Sequence, residues 1–210
     1  MSSYIEQYKK LHYNQLNFGN SSAKYIDEVS LMINFLKPNT ILDYGCGKGA
    51  LIDAISKKYP HIEVLGYDPA IPERMTIPNK KIDFIVNTDV LEHIPEEQLP
   101  EIIESISSIS QNVFFGLHHA KAKAILPNGE NAHCTIKPPE WYHQLFKNYF
   151  SKVIPLKSDK FILSAVITFN VPEDILKEYN SIIDRRTKTK EKLRCYLRKI
   201  LSYFKNKDTQ

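Results

Sequence analysis

Short apolar runs alternate with amphipathic stretches along most of the chain. Residues 22–37 place Tyr25, Val29, Met32, Ile33 and Leu36 at helical spacing, and Pro38 follows as a stop. Thr40-Ile41-Leu42-Asp43 is a short apolar strand running into Gly45, Gly47 and Gly49. A helix with Leu51, Ile55 and Tyr59 on one face comes next and ends at Pro60. Ile62 to Tyr67 reads as a second strand, closed by Asp68-Pro69, and Ile82 to Val86 as a buried one. Residues 96–109 are helical, with Leu99, Ile102, Ile103, Ile106 and Ile109 on one face, and Val113 to Leu117 is a further strand. Apolar strands separated by helices predict a parallel α/β sheet. Lys152 to Leu156 and Phe161 to Phe169 have only Lys157-Ser158-Asp159-Lys160 between them, which predicts an antiparallel hairpin.

Three segments depart from this rhythm. Between Asp68 and Lys81 stand three prolines and little periodicity, so a normal βα unit does not fit and one strand is expected to be short or degraded. Glu140 to Tyr149 is predicted as a helix carrying Trp141, Leu145 and Tyr149, with His143 as a packing or surface residue. From Pro172 the chain reads as helix, with Leu193, Tyr196, Leu197, Ile200, Leu201 and Phe204 forming an apolar stripe.

Composition narrows the class. The 210 residues suit one domain, here placed at 1–171, with a basic helical tail at 172–210. A hydrophobic fraction of 42% excludes a disordered chain, and no run approaches the length of a membrane span. The start, MSSYIEQYKK, lacks the apolar stretch of a secretory signal, and three cysteines without CxxC spacing give no disulfide framework; both point to the cytoplasm. The net charge of +4 arises in the tail, where Lys177 to Lys207 hold eleven Lys/Arg against three Asp/Glu. The tail is expected to pack on the body or to dock on the inner membrane face or a partner; without interleaved aromatics, nucleic acid is not expected as a partner. Oligomeric state is left open.

The candidate chemistry begins with Asp43-Tyr44-Gly45-Cys46-Gly47-Lys48-Gly49 between a strand and a helix. Such glycines let backbone approach a ligand beyond the carboxyl ends of the strands. Asp68, ending the next strand, can accept hydrogen bonds from both hydroxyls of a ribose. Two patterns fit. Gly45, Gly47 and Ala50 satisfy the dinucleotide fingerprint, which would make the chain a nicotinamide-dependent oxidoreductase. Asp43, two residues before the first glycine, satisfies a second pattern in which an acid flanks the loop. A carboxylate there suits a cationic ligand without phosphates, such as the sulfonium and ammonium of S-adenosylmethionine. A third possibility is a binding module with a vestigial cofactor fold, its contacts made by the tail.

The stretches ILDYGCGKG, VLGYDP and IDFIVNTDVLEHIP resemble the class I S-adenosylmethionine-dependent methyltransferases over about residues 40–118. The resemblance implies a Rossmann-like, seven-stranded, mostly parallel sheet whose last strand is antiparallel. It implies that Asp43, Gly45, Cys46 and Gly47 hold the methionine part, Asp68 and Pro69 the ribose side, and that Asp89 and Val90 lie near adenine and substrate. The [DN]PP[YW] signature of amino-methylating DNA enzymes is absent at Asn87-Thr88-Asp89.

Five of the seven histidines lie between residues 93 and 143. His93 follows one strand and His118-His119 ends the next, at the sheet edge that carries the glycine loop, so these and His133 are candidates for a base that deprotonates a hydroxyl acceptor. His12 and His61 are expected at the surface. Asp89-x-x-Glu92-His93 sets two carboxylates and an imidazole on one helical face, a mixed oxygen and nitrogen set suited to Mn, Fe, Mg or Zn. The pattern is similar to the ExxEH of metal-dependent ubiquinone-biosynthesis O-methyltransferases and small-RNA 3′-end 2′-O-methyltransferases. The latter carry further histidines downstream, where His119 and His133 stand; the implied ligand set is Asp89, Glu92, His93, His119 and His133. Leu126 to Thr135 is a long polar run after a strand, resembling a loop of bacterial surface-polysaccharide methyltransferases of the capsular O-methyl phosphoramidate type. That implies a small sugar- or nucleotide-linked acceptor. Cys46 and Cys134 are expected as packing residues.

Overall fold

The computed structural model describes residues 3–15, 18–158 and 164–207. The chain opens with α1 (Ser3–Asn14), a 3₁₀ turn (Ser22–Tyr25) and α2 (Ile26–Leu36). Strand β1 (Thr40–Tyr44), α3 (Ala50–Lys58) and β2 (Glu63–Tyr67) follow, then a 3₁₀ turn at Pro72–Arg74 and β3 (Phe84–Thr88). After 3₁₀ turns at Leu91–His93 and Glu96–Gln98 come α4 (Leu99–Ile109), β4 (Val113–Leu117) and α5 (Pro139–Phe146). Strands β5 (Ile154–Leu156) and β6 (Ser164–Ile167) and the long α6 (Glu173–Lys207) complete the order.

The sheet runs β2-β1-β3-β4-β6-β5. Strands β1 to β4 are mutually parallel, and β6 is antiparallel to both of its neighbours. The two-residue period of a strand sends alternate side chains to opposite layers. Ile41, Phe84, Val86, Phe114 and Ile167 pack with Val29 and Met32 of α2, Leu51 and Ile55 of α3, and Tyr179 and Ile183 of α6. Leu42, Ile85, Phe115 and Val166 pack on the other face with Leu99, Ile103 and Ile106 of α4 and with Tyr142 and Phe146 of α5.

The expected seven strands are corrected to six among the described residues. The missing one falls in residues 69–81, where Pro69, Pro72 and Pro78 supply no N–H to a ladder and only the Pro72–Arg74 turn forms. The antiparallel pair forms as expected, although Phe161, Ile162 and Leu163 of the second predicted strand lie outside the described residues. The division set at residues 171 and 172 falls beside the start of α6. The first half of that helix belongs to the core, with Tyr179 and Ile183 buried, and Arg186 pairs with the buried Glu28 of α2. Further on, Leu193, Tyr196 and Leu197 are 57%, 62% and 48% exposed; the side chains of Ile200, Leu201 and Phe204 lie outside the described residues. Among the described residues no helix is long and apolar enough to cross a membrane.

Candidate active site

The chain leaves β1 for β2 on one side and returns to β3 on the other. The carboxyl edge between β1 and β3 is therefore a crevice where strand order reverses. A cavity of about 940 Å³ opens there, large enough for a cofactor and an acceptor together. Its walls include Gly45, Gly47, Asp68, Pro69, Asp89, Val90 and His93 of the expected site. Tyr4, Ile5, Tyr8 and His12 of α1 also line it.

The glycine loop is held by backbone. Gly45 and Gly47 have φ of +86° and +52°, and a β-carbon at Gly45 would stand 2.3 Å from Val90 Cγ2. The N–H groups of Gly45 and Cys46 both donate to the Tyr67 carbonyl, at 2.7 and 3.1 Å. Gly47 N–H donates to Asp68 Oδ2 at 2.9 Å. Lys48 N–H donates to the Gly19 carbonyl at 3.0 Å, and Gly49 N–H to the Cys46 carbonyl at 2.9 Å. Asp68 Oδ1 accepts from Ala70 N–H at 2.8 Å, so its carboxylate is fixed at the rim while each oxygen can accept another bond.

Asp43 and Cys46 lie behind this wall and do not line the cavity. Asp43 is 1% exposed, and its Oδ2 has no hydrogen-bond partner. Burial and the neighbouring Asp68 raise its pKa to about 7, with Arg74 opposing the rise. The Cys46 thiol turns towards the Gly47 carbonyl and Arg74, and burial pushes it up to about 12, which leaves it unreactive. Arg74 comes from the segment that replaces the missing strand. Sequence reasoning assigned it nothing, and it reaches back beneath the loop to Cys46 Sγ at 3.4 Å.

The histidines divide. One oxygen of Glu92 and one ring nitrogen each of His93 and His133 lie within 4.8 Å of one another. Glu92 is fully buried, neither of its oxygens has a hydrogen-bond partner of ordinary geometry, and burial together with Asp89 holds its pKa well above the usual carboxylate range, against the Glu92 and His118 backbone N–H groups and Lys24. His93 Nδ1 lies 2.7 Å from the Ala132 carbonyl, and His133 Nδ1 2.5 Å from the Ala120 carbonyl. With each Nδ1–H donated, each Nε2 keeps its lone pair for a proton or a cation. Burial and His133 lower His93 to about 4, so it is neutral at physiological pH. The His118 ring meets that of His133 edge-on, with 4.8 Å between their centres.

Asp89 and His119, expected as ligands, stand outside this group. The Asp89 carboxylate accepts from Tyr25 Oη at 2.7 Å and pairs with Lys24 Nζ. His119 spends both ring nitrogens elsewhere, at 2.6 Å from the Lys137 carbonyl and 2.6 Å from Ser164 Oγ. Neighbouring residues at a strand end point to opposite sides, which separates it from His118. His12, expected at the surface, lines the cavity and sets its ring 4.8 Å from that of Phe18. Tyr8 was also missed. Its hydroxyl donates to the Ala132 carbonyl at 2.5 Å and lies 3.3 Å from His93 Nδ1. One signal could have found both, since Tyr4, Tyr8 and His12 are spaced four apart on one helical face.

The buried Asp43 gives a test by pH. A carboxyl whose folded pKa is raised contributes stability that is full below its unfolded pKa and is lost as pH rises through about 7. A cationic ligand favours the ionised form. Affinity for S-adenosylmethionine, which carries the sulfonium charge, is therefore expected to rise ~3–10-fold from pH 6 to pH 8, and to be nearly flat in Asp43→Asn. Equilibrium dialysis at the two pH values checks this; a parallel rise in the variant contradicts it.

The fold is shared with solved structures. PigF with SAH aligns at 15% identity and a TM-score of 0.51, over 70% of this chain and 53% of that one. An O-methyltransferase family protein from Burkholderia thailandensis aligns at 10% and 0.50, over 74% and 60%. The chain thus spans little more than half the length of these two. The methyltransferase domain of bacterial CtHen1-CN aligns at 16% and 0.53, over 70% of this chain and 99% of that one. No curated protein sequence matches the chain. A family model described as a methyltransferase domain matches residues 18–149, a span that contains the glycine loop, Asp68, Asp89, Glu92, His93 and His133. With more than half of its length inside that match, the chain belongs to the methyltransferase-domain family.

Proposed function

We propose that the chain transfers a methyl group from S-adenosylmethionine to an oxygen of a small polar, sugar- or nucleotide-linked acceptor. In this reading Glu92, His93 and His133 form a divalent cation site beside the acceptor. The state of the glycine loop supports the donor. All five N–H groups from Gly45 to Gly49 donate inside the protein, so this loop offers none of them to a pyrophosphate. Carboxylates at Asp43, Asp68 and Asp89, each just beyond or within the end of a strand, suit a sulfonium and an ammonium instead. The unpartnered Asp43 Oδ2 fits such a ligand, because a positive charge nearby stabilises the ionised form that burial disfavours. These two observations weigh against the nicotinamide reading.

When bound, S-adenosylmethionine supplies a methyl group on a sulfonium, which an acceptor oxygen displaces as the C–S bond pair leaves with sulfur. The protein contributes position and proton handling. Asp68 accepts the ribose hydroxyls, Gly45 and Gly47 admit the methionine end against bare backbone, and Pro69 and Val90 wall the adenine side. Tyr4, Ile5 and Tyr8 of α1 keep water from the acceptor. Neutral His93, its Nδ1 held by Ala132, presents Nε2 to the acceptor hydroxyl proton when no cation is held.

The donor set of Glu92, His93 and His133 fits Mn, Fe, Zn or Mg, and the two unpartnered Glu92 oxygens are where a positive charge is wanted. A cation there would lower the pKa of an acceptor hydroxyl. The same cluster favours a second reading, metal-dependent O-methylation of quinone precursors or RNA 3′ ends. A methyl-release screen decides, using nucleotide-sugars, phosphoramidate-bearing sugars, catechols and RNA ends, each with Mn or with EDTA. Turnover on an oxygen acceptor that falls at least ~10-fold in EDTA and returns with Mn is expected. Preferred turnover on an amine contradicts the oxygen assignment, and full turnover in EDTA contradicts the cation.

A further inference from the structure

The distal half of α6 is strongly basic in sequence and lies outside the candidate site. Residues 188–207 hold eight Lys/Arg and a single acid, Glu191, a net +7 where the whole chain carries +4; the rest is therefore net acidic. Helix α6 runs 35 residues to Lys207, and at 1.5 Å per residue the part from Lys188 on is about 30 Å long. It is not uniformly polar. Leu193, Tyr196 and Leu197, at helical spacing, stand 57%, 62% and 48% exposed. The sequence continues that spacing with Ile200, Leu201 and Phe204. Leaving such side chains in water is unfavourable, and their neighbours in sequence are Lys192, Arg194, Arg198 and Lys199.

We propose that this distal helix docks in the plane of an anionic membrane surface, its apolar stripe entering the headgroup boundary and its basic residues meeting acidic lipids. The pairing of stripe and charge carries the assignment. Acidic headgroups complement a net +7, and long basic side chains can bury their stems while their charged ends stay at the headgroups. A second copy of the same helix would set eight basic residues against eight with one acid apiece to relieve them, which repels. A phosphate backbone would satisfy the basic residues and leave leucines and isoleucine without a role. The proximal half of α6 anchors the body through Tyr179, Ile183 and Arg186, so docking would hold the enzyme against the surface without disturbing its core.

The test is co-sedimentation of the full chain with vesicles of equimolar phosphatidylglycerol and phosphatidylcholine, beside pure phosphatidylcholine, at low and at high salt. Binding at least ~10-fold tighter to the anionic vesicles, weakened by salt, is expected. Leu193→Glu/Leu197→Glu is expected to lose ~10-fold or more of it while keeping its far-ultraviolet circular dichroism and melting temperature. Lys188→Glu/Lys192→Glu is expected to lose the preference for acidic lipid. Equal affinity for both vesicles, or none for either, overturns the proposal. So does tighter binding to a 30-nucleotide single-stranded RNA that the leucine variant leaves unchanged, or a dimer in analytical ultracentrifugation that the leucine variant dissociates.

Discussion

Replacement of Asp68 by alanine is expected to weaken S-adenosylhomocysteine binding ~100-fold or more. A hydrogen bond to a charged group contributes about 1.5–3 kcal/mol, and the carboxylate has one acceptor position free on each oxygen for two ribose hydroxyls. The same carboxylate fixes Gly47 N–H and Ala70 N–H, so its removal also releases the loop that receives the methionine end. Asp68→Asn, which retains one acceptor and the shape, is expected to lose ~10-fold. Equilibrium dialysis of the two variants separates these contributions. Unchanged affinity in the alanine variant would remove Asp68 from the site.

Glu92→Gln is expected to lose function and gain stability together. Neither Glu92 oxygen has a hydrogen-bond partner of ordinary geometry, and the carboxyl is held well above its ordinary pKa by burial. The stability it contributes is full below its unfolded pKa and is lost as pH rises through the folded one. Glutamine does not titrate, so the metal-free variant is expected to exceed the parent by ~1–2 kcal/mol at pH 8, and by less at pH 6, in urea unfolding. It is also expected to bind Mn(II) at least ~100-fold more weakly, read by electron paramagnetic resonance, and to lose a similar factor in turnover. Undiminished Mn(II) binding contradicts the site. A less stable variant at pH 8 means that Glu92 is already satisfied without a cation.

The sheet was legible because its strands are apolar on both faces. Ile41-Leu42, Phe84-Ile85-Val86 and Phe114-Phe115 feed both layers, and periodicity reports that directly. The degraded strand was legible too, because prolines at 69, 72 and 78 remove the donors a ladder needs. Helix α1 was not. Of its apolar residues Leu11 is the one fully buried, and its packing depends on Leu126 and Ala132 more than a hundred residues away. Local pattern carries little of such a contact, so the lid over the cavity and the place of His12 went unread.

The candidate site divides along the same line. Asp68, Gly45 and Gly47 follow from a strand-loop-helix pattern and line the cavity. Asp43 has the expected chemistry and sits one layer deeper, because its position in β1 turns it into the interior. The convergence of Glu92, His93 and His133 could be suspected from spacing, yet the choice of His133 over His119 depended on Ser164 Oγ, which takes the second ring nitrogen of His119. Sequence counts histidines; only the fold says which nitrogens are already spent.

The most direct measurement is calorimetric titration of the full chain with S-adenosylhomocysteine and, separately, with NADH. Saturable one-to-one heat with the first, abolished in Asp68→Ala, and none with the second is the expected result. Heat with NADH alone would mean that the cavity receives a pyrophosphate, and a donor site built of carboxylates would have to be abandoned.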